Sequence, residues 1–328
     1  MRRYYIKYYF IFLLFWSPFS TADKVLIINS YHSDYTWSAE CRQGFDEHVD
    51  PKHDVDYFEM DTKRIPPSEF RQKALSALDE VQRRKPDIVV LMDDNALRLL
   101  GDSISKLNIP VVFMGINNNP RLYFSSGVLP LNVTGVLERP LLERSAASIF
   151  HILTPKTKKI LLMMDNGVTS DAIIQTSLYG KSAIHRSNYV VDTYLTNSYS
   201  DWKNKVNTIS DKDYDALIIS NYAALKDDND KQVPLDSTSR WTSQHSSIPL
   251  FAFWKYSVGK GKAIGGLLMR GYDQGKHAAL ILNESLATGR IPKVTTPIRG
   301  EYIYSKSELY RWGLTLSPRL KKRAKFIE

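Results

Sequence analysis

Short, uniformly apolar runs separated by amphipathic stretches organise the chain. Val25-Leu26-Ile27-Ile28, Ile88-Val89-Val90-Leu91-Met92 and Ile160 to Met164 are too short to span a membrane and show no polar alternation. Each predicts a strand buried on both faces, as in a parallel sheet. Between the first two, Cys41, Phe45 and Val49 recur at i, i+4, i+8 and predict a helix from Ser38 to His48. Val55 to Met60 follows as a strand. After Pro66-Pro67-Ser68, Phe70, Ala74, Leu78 and Val81 share one face of a helix over Glu69 to Arg84. A short helix to Lys106, a strand over Ile109 to Met114 and a strand over Val133 to Leu137 complete a first unit. The pattern restarts near Glu138: a helix from Leu141 to Leu153, the strand to Met164, and a helix from Ser170 to about Arg186. A strand at Tyr189 to Tyr194 follows, then a helix holding Trp202, Val206 and Ile209, a strand at Ala216 to Ile219, a helix from Asp236 to His245 and a strand at Pro249 to Phe253. Strand and helix alternating at this spacing predict an α/β protein of two doubly wound, Rossmann-like lobes. Beyond them, Lys262 to Met269 and Glu301 to Tyr304 read as strands, and Asp273 to Thr288 and Lys306 to Gly313 as helices.

The apolar runs end abruptly in polar and aromatic residues, and in an open α/β sheet ligands bind outside the carboxyl ends of the strands. The first strand ends in Asn29, Ser30, Tyr31, His32, Asp34, Tyr35 and Trp37. Later ones end in Asp93-Asp94-Asn95, in Gly115 to Asn118, in Asp165-Asn166-Gly167, in Ser220-Asn221-Tyr222 and in Trp254-Lys255-Tyr256. Flat rings at such ends can sandwich a planar or apolar group, or Tyr35 and Trp37 pack under the first helix. Of Asp93, Asp94 and Asn95, one is expected to cap the next helix and one to face the crevice. Gly115, Asn117 and Asn118 offer amides and backbone N–H groups, or serve a turn. Arg139 holds a ligand carboxylate bidentately or braces a hinge beside Glu138. The expected ligand-binding set is therefore Ser30, Tyr31, Trp37, Asp93, Asp94, Asn95, Gly115, Asn117, Asn118, Arg139, Asp165, Asn221, Tyr222 and Trp254, facing one another across a two-walled cleft.

Composition narrows the function. The 328 residues are 43% hydrophobic and 24% charged, as in a globular protein of two ordinary domains. The net charge of +9 is partly terminal: Arg2, Arg3 and Lys7 open the chain, and Arg319, Lys321, Lys322, Arg323 and Lys325 close it. No nucleic-acid motif accompanies it, and the terminal run reads as a solvated charge face. The basic start, the apolar run Tyr8 to Trp16 and Ser20-Thr21-Ala22 predict a secretory signal peptide over residues 1–22, cleaved near Ala22, and an exported, periplasmic mature protein. One cysteine, Cys41, excludes an internal disulfide framework and a Cys-rich zinc site. His48 and His53, with Asp46, Glu47, Asp50 and Asp54, read as a solvated helix end and turn. No metal site and no cofactor is expected. Gly259-Lys260-Gly261-Lys262 lacks the Ser or Thr of a phosphate-binding loop, and no nucleophile elbow is present, so no catalytic residue is assigned.

Four stretches carry a family resemblance: NSYHSDYTW at Asn29 to Trp37, VTGVLERPLLERS at Val133 to Ser145, GGLLMRGYDQGKHAALILNESLATGRIP at Gly265 to Pro292, and SELYRWGL at Ser307 to Leu314. They resemble the ABC-transporter substrate-binding proteins with the type I periplasmic-binding fold, a branch that includes aromatic amino acid binders and sensory relatives. The resemblance implies two lobes joined by crossover strands, with residues 24–137 and about 256–292 in the first and 138–255 and about 293–328 in the second. It implies a small-molecule ligand, a membrane ABC permease or sensor protein as partner, no nucleic acid and a monomeric receptor. An enzyme using the same cleft is the contrasting reading, and no base-and-nucleophile spacing supports it.

Overall fold

The computed structural model describes residues 22–139, 141–153, 159–187, 189–296 and 300–328; the leader expected over residues 1–22 lies outside them except for Ala22. The first unit runs β1 (Lys24–Asn29), α1 (Thr36–Asp46), β2 (Asp54–Glu59), α2 (Phe70–Arg84), β3 (Ile88–Met92), α3 (Asp93–Ser105), β4 (Val111–Ile116) and β5 (Val133–Leu137). Its sheet is wholly parallel, in the order β2-β1-β3-β4-β5. That order explains the unbroken apolar runs: β3 and β4 are buried at every position because helices cover both faces. Leu26, Ile28, Met60, Leu91 and Leu97 pack on one face, and Val25, Ile27, Val90 and Val112 on the other.

The second unit repeats the plan with α4 (Leu142–Ile152), β6 (Lys159–Met164), α5 (Val168–Ser177), β7 (Ala183–His185), β8 (Val190–Leu195), α6 (Tyr199–Thr208), β9 (Ala216–Ile219), α7 (Leu235–His245) and β10 (Leu250–Ala252). Its sheet order is β10-β9-β6-β8-β7. β7 is antiparallel on the edge. It occupies chain expected to continue the α5 helix to Arg186. That helix ends early because Tyr179 and Gly180 both take left-handed backbone (φ 56° and 75°) and the Gly180 N–H folds back to the Ile174 carbonyl at 2.9 Å.

The last part of the chain is shared. β11 (Gly265–Leu268) pairs antiparallel with β12 (Glu301–Ser305), and Leu268 and Ile303 join the second unit's core beside Trp202. Between them α8 (Gly271–Thr288) packs on α1 of the first unit, with Gly44 and Gly275 at the contact. The stretch expected whole in the first lobe, 256–292, therefore divides at Arg270, since β11 hydrogen-bonds into the second unit's side. Thr295 then lies beside β5, its N–H donating to the Gly135 carbonyl at 2.9 Å. α9 (Lys306–Arg311), α10 (Pro318–Lys321) and β13 (Ala324–Ile327) close the chain, β13 running parallel to β12. The basic tail is thus structured rather than a free charge run: Lys325 pairs with Glu301, and Arg323 lies over the Tyr302 ring. The chain passes from first unit to second after β5 and returns between β11 and α8.

Candidate functional site

The carboxyl ends of the two sheets face one narrow cleft. From the first unit come Tyr31, Tyr35 and Trp37 on the segment after β1, Lys63 after β2, Asp93 at the start of α3 and Asn117 after β4. Glu138 stands on the crossover after β5. The second unit supplies Thr169 in the first turn of α5, Asn221 after β9, and Trp254 and Tyr256 after β10.

Asp93 is the hinge of the first wall. β3 passes into α3 with no intervening loop, and Asp93 takes the turn in left-handed backbone, φ 75°, which is strained for a residue with a side chain. Its carboxylate is buried and holds the wall together. Oδ1 accepts from the Tyr31 hydroxyl at 2.7 Å, and Oδ2 from the Trp37 indole N–H at 3.0 Å. Burial, reinforced by the Asp94 charge, pushes its pKa up to about 7 despite the Tyr31 bond and Lys63. Glu138 is 2% exposed and joins the lobes: Oε1 accepts from the Trp254 indole at 2.9 Å, Oε2 from the Asn117 amide at 2.8 Å. Burial and the Asp93 charge push it up to about 8, against the two hydrogen bonds. With the Asn117 amide N–H₂ turned to Glu138, its Oδ1 is buried with no partner among the described residues. Tyr31 and Tyr35 meet edge to face at 5.3 Å, Trp254 stacks beside Tyr256 at 6.4 Å, and the Lys63 ammonium sits 4.6 Å above the Tyr31 ring.

Of the residues expected at the site, Tyr31, Trp37, Asp93, Asn117, Asn221 and Trp254 are brought together. The others are hydrogen-bonded to neighbouring protein groups away from the lining of the cleft. The Ser30 hydroxyl donates to the Met92 carbonyl at 2.7 Å and accepts from the Ala96 N–H at 2.8 Å, tying β1 to α3. Asp94 accepts from the Asn117 and Asn118 backbone N–H groups and the Tyr123 hydroxyl, so it fixes the β4 loop and leaves Asn118 with it. Asn95 bonds Thr62 and Arg98. The Arg139 guanidinium donates to the carbonyls of Ile116, Asn117, Asn118 and Glu138, bracing the crossover instead of awaiting a carboxylate. Asp165 is saturated by Asn221, Ser170 and the Ala224 N–H. Tyr222 is fully buried behind Tyr256, its hydroxyl bonded to Ser257 at 2.6 Å. Gly115, at φ 71°, passes beneath Trp37 and gives its N–H to Gln274.

Sequence reasoning left Tyr35, Lys63, Glu138, Thr169 and Tyr256 out of the set. Lys63 was within reach of the strand-end rule, since β2 runs parallel beside β1 and ends on the same edge. Glu138 was singled out only as a neighbour of Arg139. Away from the cleft, His53 is buried in a pair with Asp23 at 3.0 Å rather than solvated, and no cluster of metal-ligating residues occurs among the described residues.

No family model matches the chain, and no curated protein matches it. Solved structures do. It is similar to the ABC domain in complex with L-Trp from Streptococcus pneumonia, at 17% identity and TM-score 0.66, covering 94% of this chain and all of that one. It is also similar to a ligand-free, open substrate-binding protein with adhesive properties from Clostridium difficile, at 13% identity and TM-score 0.64, covering 94% of this chain and 99% of that one. A transcription regulator from Lactococcus lactis is similar at 13% identity and TM-score 0.53, covering 86% of this chain and 97% of that one. The chain has the type I periplasmic-binding fold: two Rossmann-like lobes with a cleft between them. Binding proteins and regulators share that fold, so the site must carry the functional argument.

Proposed function

We propose that the protein is an exported solute-binding protein, released after cleavage near Ala22, which encloses a small ligand with a flat or apolar part and presents it to an ABC permease without converting it. The observation that carries this reading is Glu138. It stands on a crossover and accepts hydrogen bonds from Asn117 of one lobe and Trp254 of the other. Closing the lobes therefore completes a binding wall, as hinge closure around a ligand requires. The cleft presents aromatic rings from both sides. Thermal-shift screening of the purified protein against amino acids, amines, sugars and nucleosides is expected to give a stabilising compound that is recovered unchanged. Conversion of that compound to a product would make the protein an enzyme; no stabiliser at all would remove the receptor reading.

A further inference from the structure

The polar lining of the cleft is one-sided. Asp93 and Glu138 present four carboxylate oxygens there; three hold one donor each, and Asp93 Oδ1 takes both the Tyr31 hydroxyl and the Asp94 N–H. A carboxylate oxygen has room for a second. The Asn117 Oδ1 beside them has no partner among the described residues, although the residue is only 2% exposed. A buried acceptor without a donor costs free energy, so this end of the cleft is built to receive donors. No cation among the described residues satisfies it: neither Asp93 nor Glu138 forms an ion pair there. Arg139 is committed to four carbonyls, and Lys63 stands over the Tyr31 ring.

An anion would bring only further acceptors to an end already lined by acceptors. A sugar hydroxyl brings one donor and two lone pairs, which suits a mixed lining better than one made of acceptors. A primary ammonium brings three donors and a positive charge and no lone pair. The ring faces around it add cation–π attraction, and burial of the two carboxyls makes each favour an incoming proton or cation. Resting on the receptor reading above, we infer that the ligand carries a primary ammonium group seated against Asp93, Glu138 and the Asn117 Oδ1, with its flat apolar body between the rings of Trp37, Trp254 and Tyr256. The cleft lining also holds donors, the Thr169 hydroxyl and the Lys63 ammonium, which would meet a carboxylate if the ligand is an amino acid.

Matched analogues on the unaltered protein test this without relying on any variant. Titration calorimetry would compare tryptophan, tryptamine and 3-indolepropionate, and phenylalanine, phenethylamine and 3-phenylpropionate. At least one amine is expected to bind, and its amine-free partner to bind about 30-fold or more weaker. Asp93→Asn, with its unliganded melting point as the folding control, should weaken the amine by a similar factor. Lys63→Met separates the two sources of ammonium: it should lower the ratio of amino-acid to simple-amine affinity. Equal binding of the amine-free analogue, or no binding by any amine, overturns the inference. A sugar or nucleoside that binds unchanged would overturn it while leaving the receptor reading intact, whereas no ligand of any kind would remove both.

Discussion

Asp93 and Glu138 show how far a single residue can be read ahead of the fold. Asp93 was legible because it follows an apolar run, and such runs end at a ligand crevice. Its left-handed backbone and its two aromatic donors were not legible, since Trp37 comes from a segment 56 positions earlier. Glu138 was less legible still. Its partner Trp254 lies 116 positions away, and only the closed arrangement of lobes buries the pair. Their titration gives a prediction with a defined sign. An unfolded carboxyl has a pKa of roughly 4, and in the folded protein these two rise to about 7 and about 8. Between those limits the folded state holds more protons than the unfolded one, so stability falls as pH rises from roughly 4 to 8 and is regained on acidification. Urea unfolding of the unliganded protein at a series of pH values should show this contribution. Asp93→Asn combined with Glu138→Gln should flatten the dependence. A double variant with the wild-type slope would show that these carboxyls are ionised or solvated in the folded protein. Ligand affinity should run the other way, rising between pH 6 and 8 as ionised carboxylates meet an ammonium.

At the scale of elements, the contact between α1 and α8 positions the cleft's first wall. Gly275 in α8 and Gly44 in α1 let the helix backbones touch: a Cβ on Gly275 would lie 1.8 Å from the Cys41 carbonyl oxygen, and one on Gly44 would lie 2.0 Å from that of Tyr272. One residue before Gly275, the Gln274 side chain accepts from the Gly115 N–H at 3.1 Å. The Gln-Gly pair in the sequence thus has two tasks, close approach and anchorage of the β4 end. Gly275→Ala must force the helices apart, and overpacking of this kind costs about 1–3 kcal/mol. The expected result is a lower urea midpoint with an unchanged m-value, together with weaker ligand binding because Trp37 rides on α1. Unaltered stability would mean that α8 slides freely over α1. The elements that eluded the sequence share a cause. The edge strand β7 lies in a stretch of helical pattern and is held by pairing with β8. β13 hides in a basic run whose Lys325 points out while Phe326 and Ile327 are half-buried. In both, strand pairing overrode the helical or polar pattern, with the next strand for β7 and with β12 for β13.

The whole molecule is a doubled α/β unit whose lobes meet in one continuous apolar cluster, which includes Trp37 and Trp254, and at the bridge of Glu138. Each carboxylate oxygen takes one donor, Asn117 from the first lobe and Trp254 from the second. Glutamine offers a single acceptor and an N–H₂, so Glu138→Gln leaves one of those donors facing another donor. Glu138 stands on the crossover just after β5, so the lobes themselves should fold as before while the closed arrangement loses its tie. Small-angle scattering of the unliganded variant is therefore expected to give a larger radius of gyration than the wild type, with Trp254 emission shifted to longer wavelength as water reaches the indole. Because apparent affinity falls with the fraction of binding-competent protein, the variant should also bind its ligand more weakly, and saturating ligand should restore the wild-type radius. An unchanged radius and emission would show that Glu138 lines the cleft without holding it shut, and would assign closure to the packing of the crossover strands alone.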